Sequence, residues 1–380
     1  MATLDELLQS KRTIICVGPG GVGKTTTSAA LGVRAAQLGR KTLVLTVDPA
    51  HRLANSLGLS NFEDDEQRVE LPKAILGPES VDHFHAMMLD TRRTFDGVVE
   101  RYAPNPQVKE RILSSKFYIQ AATHLAGSKE YMAMEKLYEV LKENRYDLVI
   151  LDTPPTAHAL DFLDAPNRLE DFLDVNTSGL MAKSSRTLGK LGLGFLKANA
   201  MILKGVSKFM GTEVFLDILN FLNDFKEMYS GFKARAGEVK NLMRSRKVAF
   251  VILTSTERTS LDEGMFFQRR LTAEQMPMGA FVVNKFRTAI RNLDIELDEA
   301  GVRKELIGAS NGQSDNGAVL AELTLKALND YERLVGRDQV ELERLRRMLG
   351  PNAEIVTVPE FKEDIHNLNG LSKYVTHLTA

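Results

Sequence analysis

The stretch that decides the fold is residues 16–33, which read CVGPGGVGKTTTSAALGV. Gly18, Gly23, Lys24 and Thr25 match the pattern G-x-x-x-x-G-K-S/T, after an apolar run and before a stretch with helical spacing. Glycines let the backbone turn and bring its N–H groups onto phosphates, the lysine neutralises those phosphates, and the threonine hydroxyl binds Mg²⁺. The stretch therefore predicts a phosphate-binding loop for a nucleotide.

Short apolar runs rich in Val, Ile and Leu recur along the chain, with helical stretches between them. Their apolar residues are continuous and do not alternate with polar ones, which is typical of parallel strands covered on both faces. We therefore expect a doubly wound, mostly parallel α/β sheet whose strands lie within residues 13–18, 42–48, 84–90, 146–154, 248–255, 279–286 and 353–360.

Two connections between these strands are too long for a single crossover helix. Residues 91–144 and 156–246 have helical spacing and few β-branched residues. We expect them to form a helical subdomain at one edge of the sheet, within a single domain that spans residues 1–380. Residues 308–318, GASNGQSDNGA, are rich in turn formers and are predicted to be a loop.

The composition restricts the kinds of function. Hydrophobic residues make up 43% of the chain and the formal net charge is -1, so a large core can form but no overall basic field attracts nucleic acid. Cys16 is the single cysteine and lies in an apolar run, so it is expected to be buried and it excludes an intrachain disulfide. No signal peptide and no apolar run of about 18 residues is found, so we expect a cytoplasmic protein.

Two carboxylates follow strands at the sheet edge where the loop is expected. Asp48 ends the second run, where an acid can position and polarise a water that attacks a γ-phosphate, although an Asp-Pro pair also commonly just ends a strand. Asp152 ends the fourth run, where a carboxylate can hold the hydration shell of Mg²⁺. Pro154 and Pro155 follow it, either as part of a γ-phosphate sensor or as a stiff turn.

Several segments resemble the ArsA/Get3 family of ATPases, in the deviant phosphate-loop (SIMIBI) class that also contains MinD and ParA. They are GPGGVGKTTT, DPAH and DTPPTAHAL, in this order and spacing, and later VILTSTERTSLDEGMFFQRRL, FVVNKF and IVTVPEFKEDIHNLNGL. The resemblance implies a P-loop NTPase fold and a dimeric switch that couples hydrolysis of Mg-ATP to binding or release of a protein or membrane-linked client.

The resemblance also implies roles for particular residues. Asp48 and Lys24 are the expected catalytic residues, and Thr25 and Asp152 are the expected magnesium residues. Asn284 is expected to read the edge of the adenine, with Pro359 packed near the base. The full set of expected ATP contacts is Gly20, Gly21, Val22, Gly23, Lys24, Thr25, Thr26, Asn284 and Pro359.

The loop departs from the family at its second position. Family members usually carry a lysine there that reaches across a nucleotide-sandwich dimer, whereas this chain has Pro19, which has neither a charge nor a donor. Arg52 or a lysine-bearing paralogue could replace the missing cation, so a homodimer and a heterodimer both remain open. A slow, regulatory nucleotide-binding subunit is a further alternative, as is a MinD/ParA-like positioning ATPase, which the poorly amphipathic segment LSKYVTHLTA disfavours.

The remaining predictions concern metals and clients. One buried cysteine cannot form a Cys-x-x-Cys zinc site or bind arsenite through several thiolates, so we expect neither site. Residues 175–212 contain six basic residues, no acidic residue, and several Met and Leu. This pattern could form a surface for a hydrophobic client or an anionic membrane, but it is more typical of an ordinary solvated surface helix.

Overall fold

The computed structural model describes most of the sheet and its covering helices. The described residues are 3–47, 52–59, 66–73, 75, 84–115, 118–119, 128–153, 217, 221, 224, 228, 231, 234–289, 301, 314–365 and 367–379. Within them no helix is long and apolar enough to cross a membrane.

The described strands form one sheet in the order β3-β4-β2-β5-β1-β6-β7-β8. All neighbouring pairs are parallel except β3 and β4. The strands are β1 Thr13–Val17, β2 Thr42–Thr46, β3 Gln67–Arg68, β4 Phe84–Met88, β5 Leu148–Asp152, β6 Val248–Thr254, β7 Met278–Phe286 and β8 Ile355–Pro359. Seven of them match the predicted runs, so the mostly parallel sheet is confirmed.

Helices cover both faces of the sheet, which confirms the doubly wound α/β fold. They are α1 Leu4–Ser10, α2 Lys24–Gln37, α3 Arg52–Leu57, α4 Thr91–Tyr102, α5 Pro106–Ser114, α6 Ser128–Glu143, α7 Arg258–Ala273, α8 Ser314–Leu349 and α9 Leu368–Leu378. One core contains residues of α1, α2, α3 and α9. The opposite core contains residues of α4 to α7 and the end of α8.

The central strand β1 shows why its apolar run is continuous. Ile14 and Cys16 belong to one core, whereas Ile15 and Val17 belong to the other. Successive side chains of a strand point to opposite faces, so a strand between two cores requires an apolar residue at every position.

Helix α9 is tied to α2 at the centre of the first core. The Tyr374 hydroxyl on α9 lies 2.7 Å from the Thr27 hydroxyl in the first turn of α2, and both side chains are buried. The Phe361 ring stacks on the Tyr374 ring, with centroids 5.8 Å apart and an interplanar angle of 22°. The segment after β8 therefore reaches the helix that follows the predicted phosphate loop.

Two details differ from the sequence-based expectations. The short antiparallel strand β3 was not predicted, because its two residues, Gln67 and Arg68, are both polar and too few to show a periodic pattern. The predicted loop at 308–318 is wrong in its second half, since α8 begins at Ser314, while residues 308–313 lie outside the described part.

The proposed helical subdomain is only partly covered by the described residues. Helices α4, α5 and α6 fall within 91–144, whereas most of 156–233, including 175–212, lies outside the described part. Phe221 and Met228 are buried in the same core as those three helices, and Arg111 on α5 donates two hydrogen bonds to Asp224. The subdomain stays a prediction.

Candidate active site

The predicted phosphate loop leaves the centre of the sheet between β5 and β6. Cys16 pairs with Asp152 on one side of β1, and Val17 pairs with Ile252 on the other. Gly18 has a φ of 152°, and a Cβ there would lie 2.1 Å from the Leu253 carbonyl oxygen. Only glycine fits at this exit from the strand.

A second glycine closes the loop at the start of α2. Gly23 is the N-cap of α2 with a φ of 89°, and a Cβ there would lie 2.3 Å from Asn284 Nδ2. No side chain caps the helix and its first turn contains no acidic residue. No acidic residue of the helix itself therefore offsets the positive end of its dipole, as suits an anion-binding site.

Lys24 holds the loop around its ammonium group. The side chain is 6% exposed, and Nζ donates to the carbonyl oxygens of Gly18 and Pro19, each at 2.9 Å. Sequence and structure agree on the place of this lysine, at the first residue of α2 and inside the curve of the loop. A buried ammonium there supplies the positive charge that phosphate oxygens need.

Four consecutive backbone amides of the loop lack a protein acceptor in the described part of the chain. Among the described residues, the amides of Gly20, Gly21, Val22 and Gly23 donate to no protein acceptor. Two carbonyls of the loop are engaged by side chains, since Asn284 Nδ2 donates to the Val22 carbonyl at 2.9 Å and Lys285 Nζ donates to the Gly21 carbonyl at 3.2 Å. Successive free amides that converge on one side form a cradle for an anion.

The predicted magnesium residues are brought together beside the loop. Thr25 Oγ1 and Thr46 Oγ1 both donate to Asp152 Oδ2, each at 2.8 Å, and Asp152 is fully buried. Thr153 Oγ1 donates to the Cys16 carbonyl at 2.8 Å and ties the end of β5 to β1. Carboxylate and hydroxyl oxygens are the hard ligands that Mg²⁺ prefers, so these residues fit such an ion. Thr46 was not singled out in the sequence.

The residues expected at the base lie at the same sheet edge. The Asn284 Oδ1 accepts from the Lys285 amide at 2.9 Å, so both ends of this side chain contact the protein. Pro359 pairs with Phe286 at the ends of β8 and β7 and is half-buried. The roles of Asn284 and Pro359 toward adenine stay predictions.

The structure describes three further predicted residues to different extents. Thr26 is half-buried in the first turn of α2, next to Thr25, which is predicted to bind magnesium. Asp48 lies outside the described residues, although β2 ends at Thr46, beside Asp152. Arg52 begins α3, but its side chain lies outside the described part.

A cavity of about 550 Å³ borders the phosphate loop. Its lining includes Pro19, Gly20 and Gly21 of the loop, with Lys285 and Arg287 on the other side. Arg287 is engaged by Asp338 at 3.2 Å and by Glu360 at 3.4 Å. The charge of Arg287 is therefore balanced by carboxylates before any ligand arrives.

The reactivity of the Cys16 thiol toward an alkylating reagent tests the packing around β1. Burial raises the pKa of the Cys16 thiol to about 12, and the nearby Asp152 charge acts in the same direction. At pH 8 the thiol is therefore protonated, and alkylation of the folded protein is expected to be about a thousandfold slower than of the unfolded chain. Mass spectrometry after iodoacetamide treatment, with and without urea, measures this. Rapid labelling of the folded protein would contradict the packing around β1.

Comparison with known proteins agrees with this geometry. A sequence model of the family described as Anion-transporting ATPase matches residues 11–292. The protein named ATPase get3 from Schizosaccharomyces pombe is 28% identical over 286 residues, which cover 74% of this chain and 76% of that protein. The protein named ATPase ASNA1 homolog from Plasmodium berghei is 24% identical over 380 residues, covering 98% of this chain and 88% of that protein.

A further relative matches a shorter segment. The protein named ATPase ASNA1 homolog 2 from Paramecium tetraurelia is 32% identical over 182 residues, covering 45% of this chain and 50% of that protein. The family match spans the phosphate loop, Asp152 and Asn284. The chain therefore belongs to the anion-transporting ATPase family, the ArsA/Get3 family, and is an ATP-hydrolysing enzyme.

Proposed function

We propose that the chain is a dimeric switch in which turnover of Mg-ATP controls binding or release of a protein or membrane-linked client. The observation that supports ATP at this site is the set of four free loop amides around the buried Lys24 ammonium. Such a cradle matches the several oxygens and the negative charge of a triphosphate.

Each residue of the cradle has a proposed part in binding. The amides of Gly20, Gly21, Val22 and Gly23 donate to phosphate oxygens, and Lys24 neutralises the β- and γ-phosphates. Thr25 and Asp152 would hold the magnesium ion, which when bound neutralises charge on the phosphate oxygens. Thr26 lies in the same helix turn as Thr25 and binds a phosphate oxygen.

Hydrolysis needs a water molecule placed in line with the bond that breaks. The water oxygen forms a bond to the γ-phosphorus while the bond to the β–γ bridging oxygen breaks, and ADP leaves with that electron pair. We assign Asp48 the role of holding this water and accepting its proton. Asn284 and Pro359 are the proposed contacts of the adenine.

Pro19 bears on the composition of the proposed dimer. A proline at this position supplies no cation to a partner's nucleotide, so a homodimer must obtain that charge elsewhere, and a heterodimer would obtain it from a paralogue. The same proline favours the second candidate, a regulatory subunit with little hydrolysis of its own. We propose the cytoplasm as the location, on the composition and cysteine usage alone.

One experiment tests the water-activating role and the dimer together. Steady-state ATP hydrolysis is measured over a wide range of protein concentration, with Asp48→Asn as the matched variant. We expect the specific activity of the wild type to rise with concentration, and Asp48→Asn to bind ATP normally but hydrolyse it at least about 100-fold more slowly.

The other outcomes are equally informative. Unchanged turnover in Asp48→Asn would rule out the proposed role of this carboxylate. A specific activity that is near zero at every concentration despite tight ATP binding would replace the homodimeric switch with the regulatory subunit. Co-purification with a hydrophobic helix peptide only in the presence of ATP or only in its absence would support client coupling, and equal capture in both would oppose it.

A further inference from the structure

Lys285 contacts the phosphate loop although the sequence pattern gives it no role. It follows Asn284 at the carboxyl end of β7, and its Nζ donates to the Gly21 carbonyl at 3.2 Å. Asn284 Nδ2 donates to the next carbonyl, that of Val22, at 2.9 Å. Two consecutive side chains of one strand therefore hold two consecutive peptides of the loop.

The backbone at Lys285 takes an unusual conformation beside this contact. Its φ is 56°, in the left-handed region that lysine seldom adopts. The Lys285 amide donates to Asn284 Oδ1, and the pairing of β7 with β8 shifts between Val283 and Phe286. A non-glycine residue held in this region is a feature that clusters at functional sites.

The contact fixes which way a loop amide points. The peptide between Gly21 and Val22 is trans, so its carbonyl and its N–H point in opposite directions. The Lys285 ammonium holds the carbonyl on one side, and the Val22 N–H, which has no protein acceptor among the described residues, is directed to the other side. A charged donor on the carbonyl also polarises the peptide and strengthens the N–H as a donor.

Lys285 forms no ion pair within the described part of the chain, although Glu257, Glu263 and Glu360 line the same cavity. Among the described residues no acidic group lies within ion-pair distance of its Nζ, in contrast to Arg287, which contacts Asp338 and Glu360. The side chain is exposed, so its single hydrogen bond adds little to folding. Its positive charge remains available to the loop.

We propose that Lys285 is a positioning residue for ATP hydrolysis, which orients and polarises the Gly21–Val22 peptide through the Gly21 carbonyl. It thereby supplies from within the same chain part of the positive potential that Pro19 cannot supply. This inference rests on the proposed binding of the ATP phosphates at this loop.

The test compares three substitutions at this position in the full-length protein. Lys285→Met removes the donor and the charge, Lys285→Gln keeps a donor without the charge, and Lys285→Arg keeps both. We expect kcat to fall about tenfold in Lys285→Met, with the KM for ATP changed less than about threefold, because a charge-assisted hydrogen bond is lost. Lys285→Arg should retain most of the activity, and Lys285→Gln should lie between the two.

Two controls separate this role from a structural one. Lys326→Met removes an exposed ammonium from α8 and should leave kcat unchanged. Lys285→Gly relieves the positive φ, so its thermal midpoint should be no lower than that of the wild type while its kcat falls as in Lys285→Met. A wild-type kcat in Lys285→Met, or a kcat that falls only in step with the thermal midpoint, would overturn the inference.

Lys24→Ala distinguishes this inference from the proposed function. If Lys24→Ala binds ATP as the wild type does, the phosphate site itself is wrong and the role of Lys285 falls with it. If Lys24→Ala loses ATP binding while Lys285→Met hydrolyses ATP normally, the phosphate site stands and only the role of Lys285 is wrong.

Discussion

Gly18→Ala should lower the free energy of unfolding by about 3–5 kcal/mol, a large part of the roughly 5–15 kcal/mol by which native proteins are stable. The new Cβ would lie 2.1 Å from the carbonyl oxygen of Leu253, which is part of the buried strand β6. A backbone atom in a close-packed sheet cannot move aside as the end of a side chain can. The φ of 152° at Gly18 adds backbone strain for any residue with a Cβ.

Gly20→Ala is the matched control, because Gly20 lies in the same loop. A Cβ at Gly20 has no atom within 4 Å and its φ is not positive, so stability should change by less than about 1 kcal/mol. Urea unfolding followed by circular dichroism compares the two variants with the wild type. Equal unfolding midpoints for Gly18→Ala and Gly20→Ala would show that the loop leaves β1 by a different path.

Lys24→Ala should abolish measurable ATP binding and lower kcat/KM by about 1,000-fold. The Lys24 ammonium is buried and donates to the Gly18 and Pro19 carbonyls, so it shapes the loop, and we propose that it also contacts the phosphates. Its removal takes away the charge that offsets the triphosphate and also releases the first half of the loop. The free amides of the loop alone cannot compensate for both losses.

Lys11→Ala provides the control for losing an ammonium-to-carbonyl bond elsewhere. Lys11 Nζ donates to the Arg246 carbonyl at 2.9 Å, at the surface. Binding of a fluorescent ATP analogue and release of phosphate should match the wild type in Lys11→Ala and be lost in Lys24→Ala. Wild-type affinity in Lys24→Ala would show that ATP binds somewhere else on the chain.

The sheet could be predicted from sequence because each central strand contains an unbroken apolar run, as Ile14, Ile15, Cys16 and Val17 show for β1. The start of α8 could not. Ser314 and the glycine and asparagine residues around it favour turns locally, but the 36-residue helix that follows extends through part of this segment. The turn propensity of the residues from Ser314 onward is overridden because they form the first turns of a long helix.

In the candidate site, too, some residues could be predicted from the sequence and others could not. Gly18, Gly23, Lys24 and Thr25 could be predicted because their spacing encodes the loop geometry directly. The contact of Thr46 with Asp152 could not, since it depends on the register between β2 and β5 across 106 residues of chain. The role proposed for Lys285 depends on a left-handed backbone that no lysine preference signals.

The bond between Tyr374 and Thr27 has a consequence for how the protein is made. The two residues are 347 positions apart in sequence, and α9 forms part of the core that covers α2. During synthesis α2 emerges from the ribosome early, whereas α9, which covers it, is synthesised only after almost all of the chain. A nascent chain without α9 therefore exposes the apolar surface of α2 that α9 covers. We expect a product that ends before β8 and α9 to be bound by chaperones or degraded and not to hydrolyse ATP.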